Sequence, residues 1–405
     1  MRTSLESTTL ETPRQILTDD DVLHWLALRL VSGLGTRRSV QLIEAMRCPQ
    51  AIFRASKSEL EHRGVSAAVA QSIASGCAFE DAVLQHELMK EAGAQLVPHT
   101  SPAYPDRLRA IYDPPLVLFA RGRIELLDTL MLAVVGTRRP TQYGKAAAER
   151  LSADLAAAGL TIVSGMARGI DTSAHTAALK VGGNTVAVFG CGVDNIYPAE
   201  NKRLASEIAE KGLLLSEFPM RSPAYPQNFP VRNRIVSGMS IGVMVVEGAQ
   251  YSGSSITARL ALEQDRDVFA VPGNITSRMS WGPNLLIKQG AKLVQEWTDV
   301  VAELDTEHRR RLALEGRAAV GITDEETKDT GQASLPLGPN GEICRAVLAM
   351  LKVDSAMQIE SLLESFEVYS SSEIIAALFE LEMLGLVKQL PGKNFVKVWA
   401  DGNRC

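Results

Sequence analysis

Val134-Val135-Gly136-Thr137-Arg138-Arg139 and Val163-Ser164-Gly165-Met166-Ala167-Arg168-Gly169 decide the fold. Each closes a short apolar run on a glycine, and each places arginine just beyond it. Further runs of the same kind cover residues 185–189, 213–216, 241–247 and 268–271, besides 131–135 and 160–164. They are too dense in apolar residues for strands with one wet face, so they fit a sheet covered on both sides. Helical patterns lie between them at 143–158, 171–181, 201–211, 231–239 and 255–264. This alternation predicts an α/β fold with a doubly wound, mainly parallel, Rossmann-like sheet. Such a sheet brings its strand ends to one edge, where ligands bind. Glycine amides and helix N-termini there suit phosphate, and several arginines at one edge suggest a polyanion rather than one small cofactor.

The rest of the chain is arranged around this centre. Residues 1–18 read as a polar tail. Residues 19–92 read as a small helical domain of the SAM-like, helix-hairpin-helix kind, with a glycine turn at Leu30-Val31-Ser32-Gly33-Leu34-Gly35 and a weaker copy around Gly64. That turn fits either a DNA-contacting hairpin or an ordinary helical one; Arg37 and Arg38 beside it favour DNA. Residues 93–305 form the extended Rossmann-like domain. Residues 306–340 read as a flexible linker, with a polar stretch from Thr323 to Gly331 and Pro336, Gly338 and Pro339 near its end. Residues 341–400 show three helical patterns and a hairpin, a winged-helix order in which Ser371 or Ser372 with Glu373 caps the third helix.

Charge refines that last assignment. Residues 342–405 hold nine acidic and six basic residues, and the expected recognition helix carries Glu373, Glu380 and Glu382 with no lysine or arginine. Such a face repels a duplex, so the module reads as a protein-interaction or regulatory element.

Composition sets the outer bounds. With 405 residues, 46% hydrophobic and 22% charged, the chain has the make-up of a globular protein of two or three domains. A net charge of −5 excludes a uniformly basic coat but not a local basic groove. Residues 1–21 lack an apolar signal core and no stretch is long enough to span a bilayer, so a cytoplasmic, non-membrane protein is expected. The five cysteines show neither metal spacing nor a disulfide framework. Cys191, between two glycines, reads as a small residue in a tight turn. Neither metal nor cofactor is expected.

The central motifs resemble the bacterial DNA-processing protein A family (DprA/Smf). The match runs through Val-Gly-Thr-Arg at 135–138, Ser-Gly-Met-Ala-Arg-Gly-Ile-Asp-Thr-Ser-Ala-His at 164–175 and Gly-Cys-Gly-Val-Asp-Asn-Ile-Tyr-Pro at 190–198. It continues through Ser-Glu-Phe-Pro at 216–219, Phe-Pro-Val-Arg-Asn-Arg-Ile-Val-Ser-Gly at 229–238 and Tyr-Ser-Gly-Ser-Ser-Ile-Thr-Ala at 251–258. Val-Pro-Gly-Asn at 271–274 and Gly-Pro-Asn-Leu-Leu-Ile at 282–287 complete it. The resemblance implies a binding protein rather than an enzyme. It would bind and protect single-stranded DNA entering the cell during natural transformation, independently of sequence, displace or tolerate single-strand-binding protein, load the RecA recombinase and dimerise through the central domain. A dimer contact is expected around 237–241 and 285–287. The DNA-binding residues it implies are Gly136, Thr137, Arg138, Arg139, Ser164, Gly165, Arg168, Gly169, Arg232, Asn233, Arg234, Ser252, Gly253 and Lys288.

Chemistry weighs these residues unequally. Arg138 and Arg168 follow strand-end glycines, which favours phosphate contact over internal pairing. Of Arg232 and Arg234, one is expected to reach the pocket while the other holds Glu217 or Glu247. Phe218, Tyr225, Phe229 and Tyr251 are candidate base platforms, with core packing the better reading for Phe218 and both readings open for Tyr251. Asp171 reads as a first-turn helix residue and His175 as a buried, hydrogen-bonded ring. Two rivals remain. A phosphoribohydrolase-like enzyme would want an acid/base carboxylate pair, and no such pair is apparent. A dinucleotide oxidoreductase would want Gly-x-Gly-x-x-Gly after the first strand, which Gly136-Thr137-Arg138-Arg139-Pro140-Thr141 lacks.

Overall fold

Thr18 starts the first helix with a capping box: its hydroxyl accepts from the Asp21 amide, and the Asp21 carboxylate accepts from the Thr18 amide. The computed structural model describes residues 17–250, 252–319, 341–352, 357–366, 369–384, 386–390, 392 and 394–397. Internal contacts divide the chain into two units, Met1–Val300 and Val301–Cys405.

The first unit opens with helices α1 (Asp19–Leu30), α2 (Thr36–Met46), α3 (Pro49–Arg54), α4 (Lys57–His62), α5 (Ala67–Ser75) and α6 (Phe79–Ala92). Glycine turns join α1 to α2 and α4 to α5, and both Gly33 and Gly64 have φ +79°, a conformation glycine adopts without strain. The arginines beside the first turn have partners in the protein. Arg37 lies 4.2 Å above the Tyr112 ring and donates to its hydroxyl. Arg38 donates to the Arg63 carbonyl at 3.4 Å. Both arginines remain exposed; the Arg37 contact ties the helices to the sheet domain, and the Arg38 contact stays within the helices.

The sheet domain runs β1 (Gln95–Pro98), α7 (Asp106–Arg109), β2 (Val117–Gly122), β3 (Met131–Val135), α8 (Gln142–Ala157), β4 (Thr161–Ser164), α9 (Ile170–Lys180) and β5 (Thr185–Phe189). It continues with α10 (Lys202–Lys211), β6 (Leu213–Ser216), α11 (Asn228–Gly238), β7 (Gly242–Val245), α12 (Gly253–Glu263), β8 (Asp267–Ala270), α13 (Trp281–Lys288) and β9 (Lys292–Leu293). The nine strands form one sheet in the order β1-β2-β6-β5-β4-β3-β7-β8-β9. From β6 to β9 all pairings are parallel; β1 and β2 add an antiparallel margin. Every residue of β3 to β7 is buried. Alternate residues face two cores: Ala187 and Phe189 pack with Met166, Leu179 and Ile208, whereas Val186 and Val188 pack with Ile235, Val236 and Ala258. Helices on both faces explain why these strands read as continuous apolar runs. The order in which the chain adds strands reverses between β3 and β7, the switch point of such sheets.

The second unit contains α15 (Thr306–Ala319), preceded by α14 (Trp297–Glu303), which crosses the unit boundary. The expected linker therefore begins with a helix. Its residues, rich in arginine, leucine, alanine and glutamate, favour one, and the Asp305 carboxylate accepts from the His308 amide in the first turn. The remaining expected linker, 320–340, lies outside the described residues. Then follow α16 (Gly341–Met350), β10 (Met357–Gln358), α17 (Ile359–Glu364), α18 (Ser371–Met383), β11 (Val387–Leu390) and β12 (Asn394–Lys397). Ile343, Val347, Leu362, Ile374, Leu378, Leu381 and Phe395 form their shared core. The cap of α18 is Ser370, not Ser371 or Ser372: its hydroxyl accepts from the Glu373 amide, and Glu373 accepts from the Ser370 amide. Among the described residues no helix is long and apolar enough to cross a membrane.

Candidate functional site

Loops following β3, β4 and β5, with the first turn of α11, enclose a pocket at the carboxyl edge of the sheet. Arg138, Gly165, Ala167, Arg168, Tyr197, Pro198 and Phe229 line it. Arg138 is exposed, and its guanidinium carbon lies 5.4 Å from the centre of the Phe229 ring. Phe229 in turn packs against Tyr197, with centroids 5.5 Å apart. Arg168 is exposed on the opposite side and pairs with Glu200 at 2.6 Å. Both partners are more than half exposed, so this pair is worth at most about 1 kcal/mol and yields readily to another anion. Among the described residues lining the pocket, none carries a carboxylate.

The glycine turns behave differently from expectation. The Gly165 and Ala167 amides both donate to one Asp171 carboxylate oxygen, at 3.1 and 3.2 Å. Asp171 is buried, and burial pushes its carboxyl up from the ordinary value against the opposing pull of Arg232 and the two amides. The N-terminus of α8 is filled likewise. Glu247 accepts from the Thr141 amide at 2.8 Å and from its hydroxyl at 2.6 Å, and its carbonyl accepts from the Thr137 amide. A side chain at Gly144 would strike that carboxylate. The protein's own acids thus occupy two positions where backbone amides were expected to hold phosphate. In the α8 case this is also where a dinucleotide fold seats its pyrophosphate. The arginine side chains, Arg138 and Arg168, are the basic groups left at the pocket surface.

Several expected contacts are framework instead. The Ser164 hydroxyl is fully buried and donates to the Val134 carbonyl at 2.6 Å. Gly136 is packed where a side chain would overlap Ile170. Gly169 has φ +79° and lies where a Cβ would be 2.4 Å from the Thr137 carbonyl oxygen, so it lets the β3 and β4 loops close on each other. Thr137 bridges the same two loops, its carbonyl accepting from the Ile170 amide.

Arg232 and Arg234 are both buried. Arg232 lies beneath the pocket floor and donates to the Gly165 carbonyl at 2.6 Å and to the Val188 carbonyl. Its guanidinium is why position 165 admits no side chain. Arg234 points the other way: it donates to both Glu217 oxygens, at 3.0 and 2.6 Å, and to Asp113 at 2.9 Å. The expectation that one of the two reaches the pocket fails; only the expected Glu217 partner is met. Asn233 is half-buried and accepts from Arg232 at 3.3 Å.

Arg139 is exposed beside Arg138. Ser252 and Gly253 sit at the same edge, at the start of α12, but outside the pocket lining. Lys288 is at the far end of α13, which runs back from that edge for eight residues, about 12 Å; it is not brought to the pocket. Residues 237–241 are buried within the protomer, which excludes them as a dimer contact. Phe218 is half-buried, Tyr225 is exposed outside the pocket, and Tyr251 lies outside the described residues. His175 is fully buried and hydrogen-bonded to Thr185 at 2.7 Å, with burial lowering its pKa to about 3. Burial raises the Cys191 thiol to about 11, and its sulfur donates to the Asn195 carbonyl. Tyr197, which with Asn195 reads in sequence as a loop-shaping residue, lines the pocket together with Pro198; the tyrosine-proline pair closing the 190–198 motif was the available signal.

Comparison with known proteins gives a consistent picture. A family described as DNA recombination-mediator protein A matches residues 95–305. The DNA processing protein DprA of Bacillus subtilis (strain 168) is 46% identical over 216 residues, 53% of this chain and 73% of its own. Protein Smf of Synechocystis sp. PCC 6803 is 35% identical over 323 residues, 76% of this chain and 81% of its own. The X-ray structure of DNA processing protein A from Streptococcus pneumoniae superposes with a TM-score of 0.63 at 37% identity, covering 70% of this chain and 98% of that one.

Proposed function

The chain belongs to the DNA recombination-mediator protein A family, DNA-binding recombination mediators rather than enzymes, and on that premise we propose that its edge pocket binds single-stranded DNA without regard to sequence. In this reading Arg138 and Arg168 contact phosphates, and the Phe229 and Tyr197 rings present faces on which any base can stack. The observation that carries it is the meeting of two exposed guanidinium groups and two packed aromatic rings in a pocket whose described lining residues carry no carboxylate, the neighbouring Glu200 being held in a surface pair. Bound DNA would be protected during natural transformation and passed to a RecA recombinase, with single-strand-binding protein as a further partner. The protein acts as a homodimer through its central domain, and 341–400 serve as a winged-helix module for protein contact. Exposed Ile375 and Phe379 on the glutamate-bearing α18 suit that role better than insertion into a duplex. A phosphoribohydrolase-like activity is disfavoured, because hydrolysis needs acid/base carboxylates and the pocket lining has none.

A salt titration with a mixed-sequence single-stranded oligonucleotide, and the matching duplex as control, tests the reading. The expected result is tight single-strand binding, a steep dependence on salt and weak duplex binding. Absence of single-strand binding at moderate salt would overturn it, and hydrolysis of a nucleoside monophosphate would revive the enzyme.

A further inference from the structure

Strand order places the loops after β4, β3, β7 and β8 side by side along the carboxyl edge. The pocket uses the first two. Val135, Val245 and Ala270 are in register across β3, β7 and β8. The 271–280 loop therefore leaves the sheet level with the 136–139 turn, two strand spacings or about 10 Å away. Direct contacts tie the 271–280 loop to α8 and to the loop after β7. The Tyr143 hydroxyl donates to the Pro272 carbonyl at 2.5 Å, and the Gly248 amide donates to the Met279 carbonyl at 2.7 Å.

The loop is internally fixed. The Asn274 side chain accepts from the Thr276 amide and hydroxyl at 3.0 and 2.9 Å. The Asn284 side chain accepts from the Gly273 amide and donates to its carbonyl. On this rigid frame Ile275 is 85% exposed. Arg278 is exposed too, and its side chain makes no hydrogen bond or ion pair among the described residues; the same holds for the Arg139 side chain on the pocket side. A bare isoleucine three residues from an exposed arginine on a preorganised loop matches a ligand with an apolar face and a negative backbone. Little ordering entropy is lost when such a loop binds.

Resting on the single-stranded-DNA reading, we propose that the strand does not end in the pocket but continues past Arg139 and the 252–253 turn onto the 271–280 loop. There Arg278 contacts a phosphate and Ile275 packs against a base. The loop supplies a second stretch of the DNA path.

The test is a length series of oligothymidylates, from about 4 to about 16 nucleotides, titrated against the full chain and its Arg278→Ala, Ile275→Ala and Arg138→Ala variants. Arg278→Ala is expected to leave the shortest oligonucleotide unaffected, to weaken the longest about tenfold, and to lower the salt slope by about one. Ile275→Ala is expected to weaken the longest severalfold with the slope unchanged. Wild-type affinity and slope for both loop variants at every length, with Arg138→Ala weakening all lengths, would overturn this inference alone. If Arg138→Ala also bound normally, the pocket reading itself would fall. Light scattering supplies the last arm: a variant that shifts from dimer to monomer while binding every length normally would make the loop a protein contact and overturn the proposal.

Discussion

The 136–139 turn and the 232–234 segment of α11 each bring arginine near the same edge of the sheet and put it to opposite uses. Arg138 ends exposed over an aromatic ring, whereas Arg232 ends beneath the floor, bonded to two carbonyls. The turn projects from a sheet edge, where solvent is the default surrounding. Helix α11 is packed against β5 on one side and α12 on the other, so its arginines had to find internal partners. Residues two apart on a helix point in different directions, and Arg232 and Arg234 accordingly serve separate networks. An arginine near a ligand site is thus part of the binding surface or part of its foundation, depending on what lies behind it.

The largest expected effect separates the two classes. Arg234→Ala strips a buried bidentate partner from Glu217 and should destabilise the protein by about 3–5 kcal/mol in chemical denaturation. A loss below about 1 kcal/mol would mean the network is not foundation. Arg138→Ala should leave unfolding unchanged and weaken single-stranded DNA by about 1–3 kcal/mol, uniformly across sequences; loss of fold would erase the contrast.

The buried side also has a pH signature. Folded His175 titrates at about 3, against about 6.5 in the unfolded chain. Between these values the unfolded state binds the extra proton. The stability from neutral His175 is therefore complete above pH 6.5 and falls on acidification, by up to about 1.4 kcal/mol per pH unit. Denaturation midpoints between pH 6.5 and 5 should show this slope, and His175→Gln should flatten it. His99, also lowered by burial, leaves a residual slope. The smallest effect belongs to the exposed side. Glu200→Gln frees Arg168 and should tighten oligonucleotide binding by less than about 1 kcal/mol; weakened binding would show that the pair orients Arg168 for its task.

Much of the fold was legible because its pattern is local. Strands β3, β5 and β6 begin and end where their apolar runs do, since cover on both faces demands apolar side chains at every position. The two-residue β9 is exposed and too short to leave a pattern. Within the site, Arg138 and Arg168 were legible from their place after strand-end glycines. Phe229 was one of four candidate aromatics; core packing was the better reading for Phe218, which lies half-buried outside the pocket, but nothing local singled out Phe229 from Tyr225. The roles of Asp171 and Glu247 were not legible, because a carboxylate that fills a loop looks in sequence like any acid near a helix.

Sequence alone determined the alternation of strands and helices, the edge at which the glycine turns gather and the family to which the central motifs belong. These follow from patterns spanning a few residues or one motif at a time. Only the tertiary structure decided which amides and arginines are free. Arg232 meets its acceptor Gly165 67 positions away, Arg234 reaches Asp113 across 121, and Glu247 reaches Thr141 across 106. Desolvation compels a buried charge to find such partners, and which partners stand within reach is set by packing between distant segments.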